Sequence, residues 1–139
     1  MILMVIDGQG GGIGAAIIKK MRETFGYEQE IYAFGTNSIA TSRMMKAGAN
    51  RGATGENAIV RTVQDADIIV GPISIVMANA MMGELTPRMA EEISSCKAKK
   101  ILIPLIQENT TIAGVNNEPL PHLIEQVVIL INKEISNDV

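Results

Sequence analysis

The chain has no tryptophan, one cysteine, one histidine, two tyrosines and two phenylalanines in 139 residues. The single cysteine, Cys96, excludes an intrachain disulfide and favours a reducing compartment. One histidine and one cysteine leave a zinc site without a ligand set, so we expect no metal centre. The scarcity of aromatic side chains also leaves no stacking surface for single-stranded nucleic acid.

The sequence also lacks an excess of positive charge and a long apolar run. Its 12 Lys and Arg residues are outnumbered by 15 Asp and Glu residues, for a net charge of −3. We therefore expect no nucleic-acid partner, because such proteins usually carry a basic face. No run approaches the ~18 apolar residues that span a bilayer, and the N-terminus lacks the basic region of a secretion signal. These absences predict a cytoplasmic protein without a membrane partner.

Short apolar runs alternate with helical periodicities along the chain. The apolar run at residues 2–6 is typical of a strand buried on both faces of a parallel sheet. Predicted strands cover residues 2–6, 30–34, 49–54, 67–70 and 100–104. Predicted helices cover residues 13–25, 38–47, 73–82 and 120–135, with two more beginning near residues 54–57 and 86–87, and residues 107–119 form a long irregular segment. This order predicts an α/β fold, a Rossmann-like three-layer sandwich of about five mostly parallel strands, with residues 1–139 forming a single domain.

Five glycines stand in the seven residues that join the first predicted strand to the first predicted helix. The backbone N–H groups of such a loop approach an anion closely, at the positive end of a helix dipole. Packing alone needs fewer glycines, so we predict that the loop binds a nucleotide or another phosphorylated small molecule. The loop residues predicted to bind it are Gly8, Gly10, Gly11, Gly12 and Gly14, the last four against the phosphate.

Polar residues follow several predicted strands, and the carboxyl ends of parallel strands line one crevice. Asp7 ends the first strand, Asn37 follows the second, and Glu56 and Asn57 follow the third. We expect these four side chains to contact the sugar or base of the ligand. Asp7 has a second interpretation, an Asx turn that orders the glycine loop. Glu56 also suits the first turn of a helix, where a carboxylate offsets the dipole.

The predicted helix over residues 73–82 is apolar on nearly every side. Within it, Asn79 would be a buried amide that needs a partner, and Glu84 follows toward the same crevice. A helix without a polar face in a small domain is covered by the core or by a second subunit. We therefore predict a homo-oligomer, a dimer formed through this segment or through residues 123–131.

The glycine loop is locally similar to that of short-chain dehydrogenases, with Gly8, Gly12 and Gly14 in a GxxxGxG pattern. This similarity covers about the first 20 residues, and the chain has no Tyr-x-x-x-Lys pair. Residues 35–37, Gly-Thr-Asn, stand where an acid would hold a ribose 2′-hydroxyl, which favours NADP over NAD with Arg43 or Arg51 at its 2′-phosphate. A small NADP-dependent oxidoreductase with a site completed across a dimer is the second hypothesis. A non-catalytic structural or interaction module is the third.

The glycine loop also differs from the phosphate-binding loop of nucleotide hydrolases. Aligned with the loop of deviant-Walker ATPases, the chain has Gly10 and Ala15 in place of the two lysines and Ala16 in place of the hydroxyl that holds magnesium. The charges that would stabilise a transferring phosphoryl group are absent. The sequence therefore predicts no nucleoside triphosphate hydrolysis.

Five strings of the sequence resemble a known family. They are DGQGGGIG at residues 7–14, GTN at 35–37, KAGAN at 46–50, GATGENA at 52–58 and GPI at 71–73. Together they resemble a small prokaryotic family of uncharacterised Rossmann-like proteins, one of the domains of unknown function, over about residues 1–115. The resemblance implies a Rossmann-like fold and a cytoplasmic setting, and it implies no particular reaction.

Overall fold

The computed structural model describes residues 1–105 and 109–137. Strands and helices alternate along the chain, as the apolar pattern predicts. In chain order they are β1 (Ile2–Asp7), α1 (Gly12–Phe25), β2 (Glu30–Gly35), α2 (Ser38–Ala47), β3 (Arg51–Thr54), α3 (Glu56–Thr62), β4 (Ile68–Pro72), α4 (Pro87–Ser95), β5 (Lys99–Ile103) and α5 (Leu120–Asn137). Single 3₁₀ turns follow α3 and β4, at Val63–Asp65 and Ile73–Val76.

The five strands form one parallel sheet in the order β3-β2-β1-β4-β5. Successive side chains of β1 point to opposite faces, as the pleat requires. Leu3 and Val5 pack with α1, α2 and α5, whereas Met4 and Ile6 pack with α3 and α4. Helices thus cover both faces of the sheet. The predicted α/β class and Rossmann-like three-layer architecture are confirmed.

Local sequence signals determine the end of α2 and the start of α4. Gly48 ends α2 with a φ of 127°, a conformation that favours glycine. The Thr86 side chain accepts a hydrogen bond from the Met89 N–H at 3.1 Å, and Pro87 occupies the first position of α4. The predicted irregular segment has neither helix nor strand over residues 109–119, and residues 107 and 108 lie outside the described residues.

The prediction of a helix over residues 73–82 is wrong. Only the 3₁₀ turn Ile73–Val76 forms there, and tight turns follow, with left-handed φ values at Asn79, Met81 and Met82. The turns bury the side chain of Met81 in the core without a helix. The next residue, Met82, projects outward and is 98% exposed. The expectation that Asn79 is buried is also wrong, since it lies exposed in this turn and its N–H donates to the carbonyl of Leu85.

Candidate functional site

The site lies at the carboxyl ends of β1, β2 and β4. Because β1 stands between β2 and β4 in the sheet, the loops that follow β1 and β4 leave on opposite sides and open a crevice between them. Three segments meet at this edge. They are the glycine loop (residues 8–14), residues 36–37 after β2, and residues 77–85 after β4, called here the β4 segment.

The glycine loop makes a tight turn before α1. The Gly11 N–H donates to the Gly8 carbonyl at 2.9 Å, and Gly11 has a φ of 73°. Gln9 has a φ of 50°, which costs an L-residue roughly 1–2 kcal/mol. Strained backbone of this kind persists where its surroundings hold it, and it concentrates at functional sites.

Asp7 shapes the loop from beneath. Its side chain is 4% exposed, and its two oxygens accept the N–H groups of Gly8 at 2.8 Å and Gly14 at 2.7 Å. Burial raises the pKa of the Asp7 carboxyl above its ordinary value, although the loop N–H donors and the Arg43 charge oppose that shift. The Asp7 carboxyl group therefore orders the loop and lies at the N-terminal end of α1. It does so without an Asx turn, because the Gln9 N–H that such a turn would use donates to Glu84.

Three of the five glycines are required by close packing. A Cβ at Gly8 would lie 2.4 Å from the Thr36 hydroxyl oxygen, and one at Gly14 would lie 2.5 Å from the Met44 sulfur. At Gly11 the obstacle is backbone, since a Cβ would lie 2.7 Å from the Cα atom of Ala40. Packing therefore accounts for glycine at positions 8, 11 and 14.

Gly10 and Gly12 are not crowded in this way. A Cβ at Gly10 would meet only the Arg43 guanidinium, at 3.8 Å, and one at Gly12 would meet the same exposed group at 3.3 Å. The N–H groups of these two glycines have no acceptor within residues 1–105 and 109–137. The Arg43 guanidinium lies over them and donates to the Gly10 carbonyl at 3.3 Å. Two donors without an acceptor in the described residues and one cation thus belong to the same stretch of the loop. The side of the loop that meets only the exposed Arg43 side chain is called here its open side.

Glu84 joins the three segments of the site. Its Oε1 atom accepts from the Gln9 N–H at 2.9 Å, the Thr36 hydroxyl at 2.7 Å and the Asn37 amide at 2.8 Å. Burial alone would raise its pKa, but these three hydrogen bonds outweigh burial, so the pKa of Glu84 lies below its ordinary value. The side chain is therefore a carboxylate at neutral pH, held at the end of β2.

The β4 segment reaches the glycine loop through a buried side chain as well. The Met81 sulfur lies where a Cβ at Gly8 would come within 2.5 Å of it. The left-handed conformations of residues 79, 81 and 82 bend the segment back over the end of the sheet. A helix continued over these residues would rise about 1.5 Å per residue and carry Glu84 away from β2.

The predicted binding residues are only partly brought together. Asn37 lies in the site, where it caps α2 and donates to Glu84 and to the Gln9 carbonyl. Glu56 begins α3 and accepts from the Thr86 hydroxyl at 2.8 Å, and neither Glu56 nor Asn57 bonds to the glycine loop within the described residues.

The two arginines named as phosphate partners are separated. Arg43 lies over the glycine loop, but Arg51 begins β3 at the opposite, amino edge of the sheet.

Glu84 could be placed at the carboxyl edge from its position after the fourth strand. The sequence carried no signal that it would reach the end of β2, because that contact depends on irregular turns.

A cavity of about 370 Å³ lies elsewhere, along the free edge of β5 and against α5. Ile101, Leu123 and Leu130 line it together with Lys99 and Lys133. β4 separates this cavity from β1, so it shares no residue with the glycine loop. The glycine-loop site is supported by its hydrogen-bond donors and its charge.

Comparison with known proteins gives one family match. The model of the family described as Domain of unknown function (DUF3842) matches residues 2–136, nearly the whole chain. The chain belongs to the DUF3842 family. The predicted resemblance to an uncharacterised Rossmann-like family is thereby confirmed, and the match extends beyond the predicted residue 115 into α5. No curated protein sequence matches the chain.

Among solved structures, the fold is similar to that of a dodecameric FMN-dependent UbiX-like decarboxylase from Escherichia coli O157:H7. The sequence identity is 15%, the TM-score is 0.54, and the alignment covers 98% of this chain and 95% of that one. At this identity the similarity supports the Rossmann-like fold alone.

Among the helices of the described residues, none combines the length and the apolar character needed to cross a membrane.

Proposed function

We propose that this DUF3842 protein binds a nucleotide or another phosphorylated small molecule, with the phosphate on the open side of the glycine loop. The observation that carries the proposal is the group formed by Gly10, Gly12 and Arg43. Two glycines that packing does not require leave room for close approach, and their N–H groups have no acceptor in the described part of the chain. The N–H groups of Gly11 and Gly14 already donate to Gly8 and Asp7, so we assign the phosphate to Gly10 and Gly12.

The chemistry of these groups favours a single phosphate. Backbone N–H groups at a helix N-terminus bind phosphate oxygens, and a guanidinium adds charge-assisted hydrogen bonds. Arg43 supplies one positive charge, whereas Asp7 and Glu84 place negative charge on either side of the loop. A triphosphate would meet repulsion there without the lysine and hydroxyl of a hydrolase loop. A phosphomonoester such as a mononucleotide is the better fit.

Two further features support this proposal and rank its alternatives. The similar decarboxylase is named as FMN-dependent, and FMN is a phosphomonoester, so we include FMN among the candidate ligands. An NADP-dependent oxidoreductase ranks lower, because the Glu84 carboxylate stands at the end of β2, where a 2′-phosphate would need a cation. Asn37 is proposed to contact the sugar, and Glu56 and Asn57 stay proposed contacts to a base.

We also propose a homo-oligomer in the cytoplasm. Met82 is 98% exposed and lies in the first segment predicted to form a dimer interface, residues 73–82. Ile129 is 66% exposed and lies in the alternative segment, residues 123–131. The similar decarboxylase is described as dodecameric, which is a precedent on this fold. The single cysteine suits a reducing compartment. Sedimentation velocity of the wild type and of Met82→Ser and Ile129→Ser variants tests the assembly, and a monomeric wild type would contradict it.

A thermal-shift panel tests the binding proposal. AMP, ADP, ATP, NAD, NADP, FMN and S-adenosylmethionine are added in turn to the wild type and to two variants. Gly12→Glu places a carboxylate at the proposed phosphate site and meets only the exposed Arg43 side chain, while Asn132→Glu adds the same charge at an exposed position of α5. A ligand at 100 times its Kd adds about 2.7 kcal/mol and raises the midpoint by several degrees.

We expect a shift with one or more phosphomonoesters in the wild type and in Asn132→Glu, and its loss in Gly12→Glu. If Gly12→Glu keeps the full shift, the ligand binds elsewhere and the assignment to the loop is wrong. If no phosphorylated compound shifts the wild type, the interaction-module hypothesis takes its place.

A further inference from the structure

We infer that the free oxygen of Glu84 binds a hydroxyl of the ligand's sugar or sugar alcohol. Glu84 would supply, from the β4 segment, the acid that the chain lacks directly after β2. The inference rests on the proposed function, since it needs a phosphorylated ligand on the glycine loop. It makes Glu84 the residue that selects ligands by their hydroxyl groups.

The two carboxylate oxygens of Glu84 are used differently. All three donors, the Gln9 N–H, the Thr36 hydroxyl and the Asn37 amide, converge on Oε1 at 2.7–2.9 Å. The other oxygen, Oε2, has no partner in the part of the chain that is described. A carboxylate has about four acceptor positions, so Oε2 keeps its capacity to accept hydrogen bonds. Its side chain is also partly exposed, which leaves a ligand access to it.

Glu84 also lies next to the proposed phosphate site. The carboxylate is bonded to the N–H of Gln9, and the next residue along the chain, Gly10, offers the N–H assigned to phosphate. A hydroxyl bound to Oε2 would therefore belong to the part of the ligand next to its phosphate. In a nucleotide or FMN that part is the ribose or the ribityl chain, which carries hydroxyls within a few bonds of the phosphate ester.

Glu84 is also held at the end of β2. In dinucleotide-binding folds, an acid at the end of the second strand receives the ribose 2′-hydroxyl. Here residues 35–37 are Gly-Thr-Asn, but the side chains of Thr36 and Asn37 hold Glu84 at that place. The same carboxylate would repel a phosphate on the 2′-oxygen. The sequence-based preference for NADP is thereby reversed in this inference.

A merely structural role for Glu84 makes a different prediction. If the carboxylate only ties the β4 segment to the glycine loop, its removal would weaken all ligands equally. If it binds a hydroxyl, its removal would weaken only ligands that carry that hydroxyl. A comparison of matched ligands across matched variants separates these two roles.

The test is an NMR titration of the ¹⁵N-labelled 14.9 kDa protein, followed at the amide signals of Gly10 and Gly12. The probes are inorganic phosphate, ribose 5-phosphate and its 2-deoxy and 3-deoxy analogues. The proteins are the wild type, Glu84→Gln, Glu84→Ala and the exposed control Glu23→Gln. Glu84→Gln keeps an oxygen for the three donors, and the melting temperature of each variant shows whether it is folded.

We expect the wild type and Glu23→Gln to bind ribose 5-phosphate about tenfold more tightly than at least one deoxy analogue, the size of a hydrogen bond to a charged group. Both Glu84 variants should bind ribose 5-phosphate and its deoxy analogues with equal affinity, while inorganic phosphate still moves their Gly10 and Gly12 amide signals. Equal binding of all three sugars by the wild type, or unchanged discrimination in the Glu84 variants, would overturn the inference alone. If inorganic phosphate and the sugars all leave Gly10 and Gly12 unmoved, the proposed function itself fails.

Discussion

A matched pair of glycine substitutions tests the division of the loop into packing and binding positions. Gly11→Ala places a Cβ 2.7 Å from the Ala40 Cα atom, and Gly11 has a φ of 73°. The left-handed conformation costs an alanine roughly 1–2 kcal/mol, and the clash with a backbone atom adds about 1–3 kcal/mol. We therefore expect Gly11→Ala to lower the free energy of unfolding by about 2–5 kcal/mol, a large share of the 5–15 kcal/mol typical of a domain.

Gly10→Ala serves as the partner variant. Its Cβ would lie 3.8 Å from the Arg43 guanidinium, an ordinary contact, and its φ lies outside the left-handed region. Alanine also restricts the unfolded chain, so the free energy of unfolding should stay the same or rise by up to about 1 kcal/mol. The new methyl group would nevertheless stand on the open side of the loop and weaken ligand binding.

Urea denaturation followed by circular dichroism measures both variants against the wild type. The packing account predicts a clear loss of stability for Gly11→Ala and none for Gly10→Ala. Equal destabilisation of the two variants would refute the distinction between them, and so would a Gly11→Ala variant as stable as the wild type. In either case the assignment of the phosphate to Gly10 and Gly12 would lose its main support.

Three further predictions concern charged side chains of the site. Arg43→Ala should weaken phosphomonoester binding by roughly 10- to 100-fold in calorimetric titrations, because a charge-assisted hydrogen bond is lost. The control variant Lys46→Ala, on the same helix, should bind nearly as tightly as the wild type. Equal losses in the two variants would argue against a specific role for the guanidinium. Because hydrogen bonds lower the pKa of Glu84, its contribution to stability is present above the ordinary glutamate pKa and is lost as the pH falls through its lowered value. The melting-temperature gap between wild type and Glu84→Gln should therefore stay constant above the ordinary glutamate pKa and close as the pH falls below it. A gap that does not depend on pH would contradict this. Asp7→Ala leaves two loop N–H groups without their acceptor and should cost at least about 2 kcal/mol in urea denaturation, whereas the exposed Asp65→Ala should cost less than about 0.5 kcal/mol.

Elements defined by local pattern could be predicted from the sequence. The apolar run of β1 and the glycines that follow it fixed the first strand, the loop and the start of α1 close to their observed positions. Thr86 and Pro87 marked the start of α4, because their preference depends on the first helical turn alone. Alternation of such elements was enough to predict the parallel sheet and its layers.

The β4 segment shows where such reasoning ends. Its apolar composition suits a buried helix and a set of tight turns equally. Asparagine tolerates the left-handed conformation of residue 79, but the left-handed Met81 and Met82 run against local preference. They are held by tertiary contacts, the buried Met81 side chain and the Glu84 carboxylate, which no local pattern encodes. For the same reason the sequence could name Glu84 as a polar residue near the edge but could not assign it to the end of β2.

The most direct test of the central claim is a crystal structure of the protein with the phosphomonoester that gives the largest thermal shift. The account predicts that phosphate oxygens lie about 2.7–3.2 Å from the nitrogens of Gly10 and Gly12, with the Arg43 guanidinium beside them. A ligand whose phosphate lies instead in the cavity between β5 and α5, or in any place without contact to these two glycines, would contradict it.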